Sequence, residues 1–192
     1  MAARKRSSEE LTKAAIVEEA HQQFIEKGYE HVSMRSIASA LRCSHGALYY
    51  HFQNKAALFY TVIEHYFEQL NQIIDAIATS GATGEEKLRQ LFLQFLQFAL
   101  NHPQQYELMF LKRDNGIDVL AQQAANRSYE KFAQAAQQFS DQRLSIQPIY
   151  CAFLALHGFN TYYIGKVNDF QEVELLAQGH VSFVLHSLTG KF

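Results

Sequence analysis

The chain has 192 residues, 48% of them hydrophobic and 13% aromatic, which excludes a disordered protein and suffices for a dense core. Its formal net charge of −2 argues against a generic polyanion binder. Two cysteines, Cys43 and Cys151, lie too far apart in sequence to form a metal pair and imply a reduced, cytoplasmic setting. Met1-Ala-Ala-Arg-Lys-Arg is followed by Ser and Glu rather than an apolar stretch, so no signal peptide is expected. No run of about 18 apolar residues predicts a membrane span. No cofactor, metal or catalytic motif is legible, and an enzyme is not expected.

Two prolines and nine glycines interrupt a helical periodicity that no strand pattern contests. The fold class is therefore all-α, with about nine helices. Ile16, Ala20 and Phe24 recur every four residues and predict a first helix from Ser8 to Lys27, stopped by Gly28. Met34, Ile37, Ala38 and Leu41 line a short second helix. Leu48 and Phe52 anchor a third, from His45 to Phe52. A long fourth helix follows Asn54 and carries Leu58, Val62, Phe67 and Leu70 towards Ile77. Ser80-Gly-Ala-Thr-Gly84 breaks the pattern, and Glu85-Glu86 opens a fifth helix that ends at Asn101-His102. Pro103 starts a short helix through Tyr106, Met109 and Phe110. Asn115-Gly116 separates it from an Ala- and Gln-rich helix reaching Phe139. Pro148 begins a segment apolar nearly all round, to Ile164, and a final helix runs from Phe170 to Leu188.

The charge is uneven. Residues 1–60 hold eight bases and six acids, so a basic head precedes a more acidic body. Between His31 and Ile63 there is no Asp or Glu at all. Three helix starts fall in that window, at Ser33, Ser44 and Asn54, each a neutral capping residue. Their first turns carry Arg35, His45 and Lys55, where the helix dipole ordinarily attracts an acid. An external anion, such as a phosphate backbone, would supply the missing charge.

Arg42-Cys43-Ser44 is the short turn of a helix-turn-helix, whose second helix enters the DNA major groove. His45 suits a base edge or phosphate, Ala47 a thymine methyl, and Gly46 a close approach of the backbone. Tyr49, Tyr50 and His51 suit phosphate oxygens, and Lys55 adds a point charge. Arg4-Lys5-Arg6 is a weaker candidate for DNA contact.

Residues 16–58 resemble the DNA-binding domain of the TetR family of bacterial transcriptional regulators. The resemblance rests on Ile16, Ala20, Phe24, Gly28-Tyr29, Ser33-Met34, Ile37-Ala38, Ser44, Gly46, Leu48-Tyr49-Tyr50-His51-Phe52, Asn54-Lys55 and Leu58. It implies DNA contact through Ser33, Ser44, His45, Gly46, Tyr49, Tyr50, His51 and Lys55, to which the charge pattern adds Arg35 and the groove chemistry Ala47. One departure stands out: the family usually has glycine and an apolar residue where this chain has Arg42-Cys43.

The organisation expected is a DNA-binding domain over residues 1–53 and an effector-binding and dimerisation domain over 54–192. The two all-round apolar helices at the end predict a homodimer through a shared four-helix bundle. His102 to Phe110, with Phe153, His157 and Gly158, resembles one C-terminal subclass of the family, which typically has Trp at the position of Phe153. That likeness implies a sensor of a small apolar or amphipathic molecule. The ligand candidates are Phe95, Phe98, Tyr106, Met109, Phe110, Phe153, His157 and Tyr162. The function expected is a ligand-released repressor on a palindromic DNA operator. The alternative is a DNA-bound dimeric interaction protein without an effector.

Overall fold

A computed structural model describes residues 11–111, 118–140 and 144–189. Among the described residues there are nine α-helices and no strand, as the periodicity predicts. They are α1 (Lys13–Lys27), α2 (Met34–Ala40), α3 (His45–His51), α4 (Lys55–Thr79), α5 (Gly84–Asn101), α6 (Pro103–Tyr106), α7 (Asp118–Phe139), α8 (Ile146–Tyr163) and α9 (Glu174–Thr189). A π-helical turn, Glu107–Leu111, follows α6, and a 3-10 turn, Phe170–Val173, precedes α9.

The chain divides into two compact units, Met1–His65 and Tyr66–Phe192. The division falls inside α4, so the beginning of that helix belongs with the head, whereas the boundary expected at 53/54 lies at its start.

In the first unit, Ile16, Ala20, Phe24, Ile37, Leu48 and Leu58 are all at most 1% exposed. Phe24 meets Phe59 edge-on at 5.1 Å, and Tyr29 meets Phe59 at 4.7 Å. Gly28 ends α1 with φ 76°, a backbone conformation that a side chain disfavours, and its N–H bonds the Phe24 carbonyl.

In the second unit, α5 is the central element and packs against α7, α8 and α9. Leu88, Leu91, Phe92, Phe95 and Leu96 turn inward from it, as its periodicity predicts. Glu85 and Glu86 occupy its first turn, the acidic chemistry absent from the head.

Several boundaries differ from expectation. Helix α1 starts at Lys13 rather than Ser8, because the Thr12 hydroxyl accepts from the Ala15 N–H and caps it there. Helix α8 starts at Ile146, ahead of Pro148, since a proline in the first turn forfeits no helical hydrogen bond. The last helix is entered through the 3-10 turn, which Asp169 caps at the Gln171 N–H. Arg4-Lys5-Arg6, Ser8 and Asn115-Gly116 lie outside the described residues.

Candidate DNA-binding and ligand sites

The three neutral caps form as the sequence implies. Ser33 Oγ accepts from the Ser36 N–H at 3.0 Å, Ser44 Oγ from Ala47 at 3.1 Å, and Asn54 Oδ1 from Ala57 at 2.8 Å. No acidic residue stands in the first turn of α2, α3 or α4. Around Ser33 the cap is reciprocal, because Ser36 Oγ also accepts from the Ser33 N–H. A buried glutamine secures this corner. Gln23 of α1 accepts from Ser36 Oγ at 2.8 Å and donates to Glu19 at 2.7 Å.

The turn between α2 and α3 is a Schellman motif. Cys43 N–H bonds the Ala38 carbonyl and Arg42 N–H bonds the Ser39 carbonyl. This places Arg42 at φ 51°, the left-handed region, although it is not glycine. The turn therefore keeps the geometry that glycine would favour, at a cost of about 1 kcal/mol. Arg42 itself is exposed, and Cys43 is half-buried with a free thiol.

On α3, Leu48 is fully buried, while Phe52 at its end is 4% exposed. The opposite face carries His45, Gly46 and Tyr49, all exposed, with Ala47 half-buried. Tyr50 is 86% exposed and meets the half-buried His51 ring edge-on. Ser33, Arg35 and Ser44 are exposed as well. Lys55 is placed differently from a free point charge. Its Nζ donates to the Tyr29 carbonyl at 2.9 Å and lies 4.0 Å from the Tyr29 ring centre.

In the second unit, six of the eight ligand candidates are Phe95, Tyr106, Phe110, Phe153, His157 and Met109. The first five form one cluster, with Phe95 rings 5.9 Å from Tyr106 and 5.4 Å from Phe153. Phe153 stacks on His157, and Tyr106 packs 4.8 Å from Phe110. The Tyr106 hydroxyl and His157 Nδ1 share a hydrogen bond. Met109 is buried in the adjoining π-helical turn. Phe98 is buried too, but its ring meets His102. Tyr162 is not brought to the cluster: it is 60% exposed, with Lys166 Nζ 3.3 Å from its ring centre.

Burial raises the Tyr106 phenol well above its ordinary range, opposed in part by the Asn160 amide. Burial lowers His157 below the usual 6.5. The pair is accordingly neutral. Tyr129, whose ring lies 5.2 Å from Phe153, is also raised by burial, with Tyr150 and Cys151 adding to it. Sequence reasoning missed Tyr129, Phe132 and Asn160. Phe132 stacks on Phe92 and reaches Phe95 and Phe153. Asn160 follows Phe153 and His157 by seven and three residues, the spacing of one helix face, and that was the available signal.

Among the described residues, no three His, Cys, Asp or Glu side chains are placed to hold a metal ion. No described helix is long and apolar enough to cross a membrane.

Residues 16–62 match the family description "Bacterial regulatory proteins, tetR family", and residues 88–181 match "Tetracyclin repressor-like, C-terminal domain". The chain belongs to the TetR family. Over 113 residues it is 30% identical to the Escherichia coli K12 protein named "Probable acrEF/envCD operon repressor", covering 57% of this chain and 50% of that one. Over 84 residues it is 29% identical to the biofilm operon icaADBC negative transcriptional regulator IcaR of Staphylococcus aureus strain Newman, covering 44% and 45%. This TetR-family chain thus spans about half the length of these curated relatives. A solved TetR/AcrR-family regulator from Thermobifida fusca superposes with a TM-score of 0.67 over 90% of this chain and 96% of that one. At 16% identity that likeness speaks for the fold alone.

Proposed function

We propose that this TetR-family chain is a sequence-specific DNA-binding transcriptional repressor, a homodimer on a palindromic operator that a small ligand releases. Residues 1–53 bind DNA, and residues 54–192 hold the effector and the dimer interface. The carrying observation is the outward face of α3. His45, Gly46 and Tyr49 stand exposed on it beside Tyr50, within a stretch devoid of acids and following the exposed Arg35 of α2. Two relatives named as a repressor and a negative regulator point the same way. His45, Gly46 and Ala47 read bases, while Ser33, Arg35, Ser44, Tyr49, Tyr50, His51 and Lys55 hold phosphates.

Dimerisation is supported by apolar surface that a monomer leaves in water. Ile146, Tyr150, Leu154 and Tyr162 form an exposed stripe on α8, 47% to 65% exposed. Leu175, Leu176 and Phe183 do the same on α9, and a groove of about 230 Å³ runs between the two helices beside Phe183. Gly158 lies in the same stripe, and a Cβ added there would point into open space. A two-fold bundle of α8 and α9 covers these residues, and a palindromic operator offers two copies of α3 half-sites one DNA turn, about 34–36 Å, or a multiple apart. Ligand in the body shifts α4, whose first residues pack with the head, and the spacing no longer matches the groove.

The test is salt-dependent binding of the purified protein to DNA upstream of its own gene. Tyr49→Phe and Lys55→Met weaken binding on every sequence, whereas His45→Ala changes sequence preference. Phe183→Glu converts the dimer to monomer in sedimentation and loses operator affinity with it. Untouched DNA affinity in all four variants would overturn the assignment.

A further inference from the structure

Gln23 is a polar side chain only 4% exposed, buried on α1 together with Ile16, Ala20 and Phe24. Both ends of its amide are engaged. Nε2 donates to Glu19 at 2.7 Å, and Oε1 accepts from Ser36 Oγ of α2 at 2.8 Å. The Glu19 carboxylate fixes the direction of the amide. An ionised carboxylate only accepts, so the NH2 group faces Glu19 and the oxygen faces Ser36. That oxygen also only accepts, so the Ser36 hydroxyl proton points inward, shared between Gln23 and the Ser33 carbonyl at 2.8 Å. Ser36 Oγ then meets the Ser33 N–H as an acceptor. Each bond in the chain Glu19–Gln23–Ser36–Ser33 thus has one direction.

The other buried residues of α2 are Met34, Ile37 and Ala38, all apolar. Apolar packing is non-directional and lets a helix of 7 residues turn about its own axis. A satisfied, part-buried hydrogen bond to the neighbouring helix does not. Helix α2 packs against α1 and α3, and the Schellman turn ties its end to α3. The angle of α2 on α1 therefore governs how the whole helix-turn-helix is held.

We propose that Gln23 is a positioning residue for DNA recognition: it fixes the rotation of α2 on α1 and so aims Ser33 and Arg35. The inference rests on the reading above that these two residues hold phosphates.

The full chain is titrated with DNA upstream of its own gene by fluorescence anisotropy, under conditions in which every variant is folded. Gln23→Met removes both amide bonds at similar volume. Ser36 Oγ keeps the Ser33 carbonyl as its acceptor, so the hydroxyl is not orphaned and the thermal midpoint stays level or rises. Operator affinity nevertheless falls by about two- to tenfold, the worth of one hydrogen bond. Ser36→Ala cuts the same bond from the other helix and lowers affinity as well, and the two losses do not multiply. Arg35→Met then costs less affinity in Gln23→Met than in the wild type, because the arginine is already misaimed.

Wild-type affinity in Gln23→Met overturns the inference. So does an Arg35→Met loss of full size in the Gln23→Met background, or an affinity loss that only follows a fall in stability. Ser36→Ala carries the same test if Gln23→Met does not fold. Hydrogen exchange in the free protein separates this inference from the reading beneath it. The Ser36 N–H, capped by Ser33, exchanges faster in Gln23→Met if Gln23 holds α2 in place. That acceleration with unchanged DNA affinity in Arg35→Met removes the phosphate contact and keeps the tether. Weakened binding in Arg35→Met, with exchange and affinity unaltered in Gln23→Met, does the reverse.

Discussion

Lys55 Nζ lies 4.0 Å from the centre of the Tyr29 ring and donates to the Tyr29 carbonyl at 2.9 Å. This joins the first residue of α4 to the chain just after α1, inside one unit. Tyr29 in turn packs on Phe24 and Phe59, so the cation rests on the aromatic core of the head. An ammonium has three donors, and the Tyr29 carbonyl takes one, which leaves donors for a phosphate. Lys55→Met keeps the stem and deletes the charge. Loss of the cation–π contact and the hydrogen bond lowers stability by about 1–2 kcal/mol in urea unfolding. The log–log salt slope of operator binding shallows by about one. A stability loss with an unchanged slope would mean that Tyr29 uses the cation completely.

Arg42 concerns the same head from another side. Its φ of 51° is imposed by the Schellman hydrogen bonds of Cys43 to Ala38 and of Arg42 to Ser39. Glycine fits that backbone without the clash between Cβ and carbonyl. Arg42→Gly is therefore expected to stabilise the protein by about 1 kcal/mol, or about 2–4 °C in thermal midpoint. An exposed arginine kept at that cost is explained if it reaches a phosphate, in which case the variant also binds operator more weakly and with a shallower salt slope. Unchanged DNA binding in a more stable variant would assign Arg42 no role at the interface.

Gly46 gives opposite signs for fold and function. A Cβ added there meets only Ser44 Oγ, at 4.0 Å, so the free protein has room for alanine. Gly46→Ala gains up to about 1 kcal/mol of helix propensity. If the α3 backbone approaches base edges, the added methyl holds it off, and operator affinity falls several-fold in fluorescence anisotropy. Equal affinity would show that the backbone stays clear of the groove.

The head was largely legible because its signals are local. A Ser or Asn cap, the missing acids and the spacing of Leu48 and Phe52 all report structure within four residues of themselves. The body was less so. Periodicity identifies the apolar side of a helix but not which neighbour covers it. Tyr162 therefore read as a pocket residue although it lies under Lys166, while Asn160, a polar residue by composition, lies fully buried. The start of α1 was misplaced for a related reason. Ser8 and Thr12 are both good caps, and only the hydrogen bond to Ala15 decides between them.

His157 gives the body a pH signature. Its imidazole hydrogen-bonds the Tyr106 hydroxyl and is held below 6.5 by burial, so the folded state resists taking up a proton that the unfolded chain accepts freely. Above pH 6.5 both states are neutral at this residue and it contributes no pH dependence. As pH falls below 6.5, the unfolded chain gains the proton first and folding stability declines. The decline ends below the folded-state value, where both forms are charged. His157→Gln retains a hydrogen-bonding partner for the Tyr106 hydroxyl and removes the titration. Urea unfolding at a series of pH values should show wild type losing stability relative to this variant as pH drops below 6.5, with a constant difference above it. The subtraction cancels the other eight histidines, which both proteins share. Parallel curves throughout would mean that His157 is protonated as easily in the fold as in water, and the neutral Tyr106–His157 pair would have to be abandoned.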